Sequence, residues 1–239
     1  MRIAITGGNS KFSKELQHQN SKHTLIPLDK KILDVTNLDS IEVALKDIKP
    51  DVLIHTAGLS RPMKLHNTNP ELSIQLNVVG TANCVTSCIK YGIKLIYIST
   101  DFVYPGEQGN YSEEDALLPI NKYAWSKLGG ECACMLYDNS LILRMAMTEK
   151  PFPHEKAFTD CFKSSIWYPD AARVTLDLID KGAVGIYNVG GERKSIYDFV
   201  FKENFNIFKE TKNNVAEKVP NDVSMNVNKL KQILNDSAI

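Results

Sequence analysis

Neither sign of charge is in excess in this 239-residue chain: 28 Lys and Arg stand against 28 Asp and Glu. Without a basic surplus the long-range attraction toward nucleic acid or an anionic membrane is missing, so neither is an expected partner. Long apolar runs are also missing. The longest, such as Val52–Ile54 with Ala57, fall far short of the ~20 residues that span a bilayer. The chain passes from Met1-Arg2 straight into Ile3-Ala4-Ile5-Thr6-Gly7, with no basic segment leading into a long apolar one. No secretory leader is therefore expected, and a cytoplasmic location is. Cysteines are few and odd in number, at 84, 88, 132, 134 and 161, which argues against a disulfide framework. Their spacings are helical or alternate, without an accompanying His pair, so they read as small buried apolar groups and no metal site is expected.

What is present is a regular alternation. Short β-rich runs occur at Ile3–Thr6, Thr24–Leu28, Val52–Thr56, Leu95–Ser99 and Leu141–Arg144. Between them lie amphipathic stretches at Phe12–His18, Leu38–Ile48, Pro70–Tyr91 and Tyr123–Tyr137. Strands alternating with helices predict an α/β fold with a Rossmann-type doubly wound parallel sheet and ligands at the carboxyl ends of the strands. After Arg144 the pattern changes: Pro151, Pro153 and Pro169 interrupt it. Helices are then expected near Ala172–Asp180, Ser195–Phe208 and Asn228–Leu234, a strand at Gly185–Val189, and a surface loop at Lys209–Asn221. Residues 1–150 are accordingly expected to form the nucleotide-binding domain and residues 151–239 a small C-terminal lobe interleaved with it.

The first strand runs into Thr6-Gly7-Gly8-Asn9-Ser10-Lys11-Phe12-Ser13. A dinucleotide fold needs a tight turn here that aims a helix N-terminus at a pyrophosphate. Gly7 supplies the first glycine of the usual fingerprint, while Ser10 and Ser13 stand where the second and third would fall. Ser13 is small enough for helix–strand packing. Ser10 is expected to crowd the pyrophosphate or to resist the backbone angle of the turn. Asp29 closes the second strand 22 residues after Gly7, where a carboxylate would bond the adenosine ribose. Lys11, Lys30 and Lys31 could instead hold a 2′-phosphate, so NAD and NADP both remain open.

The fourth strand ends in Ser99-Thr100-Asp101, and Tyr123-Ala124-Trp125-Ser126-Lys127 follows. Tyr123 and Lys127, four apart on a helix, share a face. A free phenol titrates near 10; bringing it to ~7 takes about 4 kcal/mol of differential interaction, which a close ammonium in a desolvated site supplies in large part. A hydroxyl from Thr100 or Ser99 could orient a substrate oxygen. His55 reads as a core or surface histidine at a strand end rather than a ligand.

These residues carry a resemblance. With Pro50–Gly58, Asn69-Pro70, Asn77, Ser99–Gly106, Tyr111–Asp115, Pro119–Tyr123 and Lys127–Glu131, the chain resembles an extended short-chain dehydrogenase/reductase of the dTDP-4-dehydrorhamnose reductase group. Later elements, Asp170–Ala172, Gly185–Val189 and Ser195–Asp198, extend the likeness over nearly the whole chain. The resemblance implies an NAD(P)H-dependent reductase of a nucleotide-linked 4-keto-6-deoxy sugar with Thr100, Tyr123 and Lys127 as its catalytic set. It implies Gly7, Asn9, Ser10, Lys11 and Phe12 along the cofactor phosphates, and Ala57, Gly58 and Leu59 on the nicotinamide side. Arg61, Asp101, Phe102 and Trp167 are candidates for the nucleotide-sugar substrate, and a homodimer is left open. Only 26 positions separate Arg144 from Asp170, fewer than the family's usual insert, which implies a reduced substrate lobe. Two alternatives stay beside this reading: an epimerase or dehydratase of the same superfamily, with Asp101 next to Thr100, and a non-catalytic dinucleotide-binding subunit similar to the beta subunit of methionine adenosyltransferase.

Overall fold

A computed structural model describes residues 1–215 and 219–235. Six strands form the main sheet: β1 (Arg2–Thr6), β2 (Thr24–Leu28), β3 (Val52–His55), β4 (Lys94–Thr100), β5 (Ser140–Met145) and β6 (Gly185–Val189). Their order across the sheet is β6-β5-β4-β3-β1-β2. β1 pairs in parallel with β2 and β3, and β3 with β4. The order in which successive strands join the sheet therefore reverses between β1 and β3, the switch point at which open α/β sheets bind ligands. The strands β3 and β4 are apolar on both faces and buried almost throughout, as a sheet covered on two sides requires. Pro27 lies in β2, an edge strand, where a missing N–H costs least.

The helices between them are α1 (Lys11–His18), α2 (Leu38–Ile48), α3 (Pro70–Tyr91) and α4 (Lys122–Cys134). Asn37 caps α2 by accepting from Ser40 N–H, and Lys49 ends it in a left-handed conformation just before Pro50. By length and composition α3 is the one helix among the described residues that could cross a bilayer, longer than the apolar runs suggested. Its middle, Ile74–Val79, widens into a π turn. Cys84, Val85 and Cys88 on this helix join Leu53, Leu95, Tyr97 and Ile142 in the main core. The three cysteines at 84, 88 and 134 are buried there, and burial pushes the Cys84 thiol well up and that of Cys134 up to about 12, so they act as apolar packing groups.

By its contacts the chain divides into two units, and it crosses between them repeatedly in place of one boundary at residue 150. The first comprises Met1–Ser99, Lys122–Leu143 and Gly182–Ile186; the second comprises Thr100–Asn121, Arg144–Lys181 and Tyr187–Ile239. The second unit holds α5 (Tyr168–Asp180), α6 (Ile196–Phe201) and α7 (Asn228–Asn235). It is tied by a polar cluster and by short ribbons. Buried Arg144 donates to the Tyr104 hydroxyl (2.9 Å), which donates to Asn188 Oδ1 (2.7 Å), and Asn188 N–H donates to Glu113 (2.9 Å). The ribbons pair Phe162–Lys163 with Lys194–Ser195, Lys156–Phe158 with Phe208–Glu210, and Met147–Thr148 with Ile166–Trp167.

The helix expected over Ser195–Phe208 stops at Phe201. Asn204 turns its side chain onto Asn206 N–H (3.0 Å), an alternative to helical bonding that Asn offers readily, and Phe208–Glu210 is drawn into a strand. That strand and a short 3-10 turn at Lys212–Asn214 replace part of the expected loop Lys209–Asn221; positions 216–218 of that loop lie outside the described residues.

Helix α4 approaches α3 closely at Gly130, where an added Cβ would lie 2.5 Å from Tyr97 Oη and 2.6 Å from the Asn77 carbonyl. Gly130→Ala is expected to lose about 2 kcal/mol despite its better helix propensity, because two packed groups must move. Denaturant unfolding checks this, and an unchanged midpoint would mean that α4 lifts away without cost.

Candidate active site

The turn after β1 is built around Gly7, whose φ of +63° suits glycine. An added Cβ there would lie 2.9 Å from Ala57 Cα, and one on Gly8 would lie 2.7 Å from Leu28 N. The close approaches of the loop thus fall on the adjacent glycines 7 and 8. Ser10, expected to resist the turn, has φ −66° and ψ 155°, extended values open to any residue. Its hydroxyl caps α1 by accepting from Ser13 N–H (3.2 Å). Buried Ser13 is gripped by Gln17, whose side-chain amide also donates to the Gly8 carbonyl (3.0 Å). Phe12 is buried in the core, while Asn9 and Lys11 are exposed at the start of α1, the end of a helix that favours anions.

Asp29 forms a tight turn after β2, its Oδ1 accepting from Lys31 N–H (2.9 Å) and Ile32 N–H (3.2 Å). Lys30 stands 3.6 Å from Asp34, with 78% of its side chain exposed. Ala57, Gly58 and Leu59 follow β3 and are held by Asn77, a residue whose positioning role sequence reasoning missed. Buried Asn77 accepts from Leu59 N–H (2.7 Å) and donates to the Leu59 carbonyl and to Ser126 Oγ (both 2.8 Å). Ser126 in turn donates to the Tyr123 carbonyl (2.7 Å). One amide therefore braces both the loop after β3 and the first turn of α4. No sign of this role is present in the sequence, because Ser73, Gln75, Thr81 and Asn83 are polar residues of the same helical stretch.

Beneath this lies His55. Ala57 N–H donates to Thr6 Oγ1 (3.1 Å), Thr6 Oγ1 lies 2.9 Å from His55 Nδ1, His55 Nε2 lies 3.1 Å from Thr81 Oγ1, and Thr81 donates to the Asn77 carbonyl (2.8 Å). Both ends are backbone groups with fixed roles. The hydroxyl of Thr81 has given its hydrogen away and so accepts from His55, and Thr6 donates to Nδ1. The imidazole is neutral and protonated on Nε2. Burial, and then the Lys127 charge, push its pKa down to about 3.

Tyr123 and Lys127 sit on α4 as the helical spacing predicts. The Lys127 ammonium lies 4.2 Å from the Tyr97 ring centroid, and the Tyr97 hydroxyl donates to the Lys127 carbonyl (3.0 Å). Burial pushes the Lys127 amine down to about 8, against the pull of Cys134 and Glu131. His66, a second residue missed by sequence reasoning, meets the Tyr123 ring edge-on at 5.2 Å and bonds Ser73 (2.6 Å).

In the second unit, Thr100 closes β4. Its hydroxyl donates to Asp101 Oδ1 (3.1 Å) and accepts from Phe102 N–H (3.3 Å). Asp101 is buried, and Lys163 Nζ stands 2.9 Å from Oδ2 in an ion pair without the alignment of a hydrogen bond. Arg61 is exposed. Trp167 is buried against Phe199, with ring centroids 4.5 Å apart, and with Lys150, Phe152 and Glu203 it lines a cavity of about 290 Å³.

Two outcomes follow. Ser10→Ala is expected to lose about 1 kcal/mol in unfolding free energy and Ser10→Gly only a few tenths; equal losses would deny the cap. His55 is expected to keep the resonances of its neutral Nε2–H form down to about pH 4. Its folded-state pKa lies below the unfolded value of ~6.5, so the stability it contributes is present above ~6.5 and is lost as pH falls, with a slope of up to about 1.4 kcal/mol per pH unit. Nuclear magnetic resonance and unfolding between pH 4 and 8 check both.

The geometry has counterparts among known proteins. A family profile described as the RmlD substrate binding domain matches residues 1–148. A dTDP-4-dehydrorhamnose reductase of Aggregatibacter actinomycetemcomitans is 27% identical over 94% of this chain and 83% of its own length. Methionine adenosyltransferase 2 subunit beta of Pongo abelii is 35% identical over 56% of this chain, which spans 42% of that subunit. The crystal structure of a dTDP-4-dehydrorhamnose reductase from Bacillus anthracis in complex with NADP superposes with a TM-score of 0.86 and 25% identity, over 97% of this chain and 92% of that one. With its sheet order, its Gly7 turn and its Tyr123–Lys127 helix, this chain belongs to the RmlD family, that of the dTDP-4-dehydrorhamnose reductases.

Proposed function

We propose that the chain is an NAD(P)H-dependent reductase of a nucleotide-linked 4-keto-6-deoxy sugar. The observation that carries this is the seat of Lys127, buried on the Tyr97 ring four residues from Tyr123 on α4. The residues of the first unit fit a dinucleotide: the glycine turn leaves no room for side chains beside Ala57, and the N-terminus of α1 follows it at once. Gly7, Asn9, Ser10, Lys11 and Phe12 would line the phosphates, the last through its backbone. Asp29 would face the adenosine ribose, and Ala57, Gly58, Leu59 and Lys127 the nicotinamide side. When bound, the reduced nicotinamide supplies a hydride to the sugar C4.

Tyr123 donates its phenolic proton to the C4 oxygen as negative charge develops there. Lys127, still largely protonated at neutral pH with a pKa of about 8, stabilises the phenolate left behind. Thr100 contacts the sugar through its hydroxyl. A second reading, a dinucleotide-binding regulatory subunit without turnover, draws on the identity to the methionine adenosyltransferase subunit, 35% over 56% of the chain.

Absorbance of NADPH and NADH with a panel of 4-keto sugar nucleotides separates the two. A reductase consumes the reduced cofactor, and Tyr123→Phe then lowers kcat by about 10²–10⁴-fold with little change in cofactor affinity. Lys127→Ala weakens cofactor binding and kcat together. Cofactor binding without turnover would select the regulatory reading, and turnover unaffected by Tyr123→Phe would remove Tyr123 as the acid.

A further inference from the structure

The buried pair of Lys163 and Asp101 plays no part in the chemistry above, yet it adjoins Thr100. Asp101 is 1% exposed, and a carboxylate taken so far from water is costly unless paired. Its counter-ion comes from a distant ribbon: Lys163, with an 18% exposed side chain, reaches 2.9 Å from Oδ2 and lies 4.3 Å from the Phe102 ring centroid. The other carboxylate oxygen accepts the Thr100 hydroxyl.

A threonine hydroxyl has one hydrogen and two lone pairs. Here the hydrogen goes to Asp101 and one lone pair receives Phe102 N–H (3.3 Å). What remains for a ligand is a single lone pair. We propose that Lys163 is a positioning residue: by pairing with Asp101 it fixes the direction of the Thr100 hydroxyl, so that Thr100 meets the sugar as an acceptor and selects a hydroxyl group there. This rests on the reading of Thr100 as a residue that touches substrate.

Other charged and titratable groups near the pair are accounted for. Lys194, the cross-strand neighbour of Lys163, is paired with Glu192 at 2.8 Å. Cys161, on the same ribbon, has its thiol pushed up to about 11 by burial and by Asp160, so it stays neutral. Asp160 accepts from Lys212 N–H (3.1 Å). Without Lys163 the buried carboxylate of Asp101 loses the counter-ion that holds it in place, and nothing then fixes the direction in which the Thr100 hydroxyl points.

The test compares Lys163→Met with the conservative Lys163→Arg in steady-state reduction. Lys163→Met is expected to lower kcat/KM for the sugar nucleotide by about tenfold to a hundredfold, the scale of a hydrogen bond to a charged group, with the KM for the dinucleotide unchanged. Lys163→Arg, which keeps a cation within reach of Asp101, is expected to recover most of the loss. Wild-type kcat/KM in Lys163→Met, an equal rise in the KM for the dinucleotide, or a Lys163→Arg variant no better than Lys163→Met would overturn the proposal.

The carboxyl carbon-13 resonance of Asp101 decides the matter without turnover. A resonance that Thr100→Val moves in the presence of Lys163 but not in the Lys163→Met background supports the proposal; one that Thr100→Val leaves unmoved, or moves equally with and without Lys163, overturns it. Should the wild type reduce no 4-keto sugar nucleotide, or Thr100→Val leave turnover intact, the reading of the site fails while this resonance still reports whether Lys163 sets the bond.

Discussion

A hydrogen-bond relay whose two ends are backbone groups leaves no freedom to its middle. Ala57 N–H can only donate and the Asn77 carbonyl can only accept, and between them Thr6, His55 and Thr81 must all point one way. The ends of β1 and β3 and the widened stretch of α3 are thereby joined through a neutral ring. Much of the site hangs on this line. The Gly7 turn leans on Ala57, the loop after β3 is clamped by the side chain of Asn77, and the same Asn77 reaches α4 through Ser126. A positive charge on His55 would break the relay and would stand near Lys127, whose charge already acts on the ring. The neutrality of one histidine and the cationic state of one lysine are thus parts of one arrangement.

Glycine economy in the nucleotide turn has a local explanation. The fingerprint asks for small residues where backbone meets backbone and where a helix packs on a strand. Here those approaches are met at Gly7 and Gly8, which frees position 10 to carry a side chain. Serine uses that freedom to cap α1. The departure from the fingerprint exchanges one means of shaping the turn for another.

Features that depend on neighbours in sequence were legible in it. The alternation of strands and helices follows from periods of two and 3.6 residues, and the shared face of Tyr123 and Lys127 follows from their separation by four. Reading failed where a side chain competed for the backbone: Ser10 as a cap and Asn204 as a helix stop are both short polar residues bonding locally. It was silent where partners are far apart. Nothing near Asp101 announces Lys163, and nothing near Tyr123 announces His66, because tertiary pairing of this kind leaves no periodic trace. Cys84 and Cys88 were legible for the opposite reason, since their place on an apolar face already identified them as packing groups.

The π turn at Ile74–Val79 has an evolutionary consequence. Such a turn accommodates one residue more than a regular helix would. Deleting a single residue there would restore the regular winding and leave the helix on either side facing as before, whereas a deletion elsewhere in α3 would rotate everything beyond it by about 100°. Gly80, Thr81, Cys84 and Cys88, now buried, would then swing away from the core. Changes of length along α3 are thus confined to Ile74–Val79, while the outward residues Ile74 and Ile89 remain open to changes of side chain. Lineages descending from this sequence are expected to gain or lose a residue along that helix at the widened turn and nowhere else.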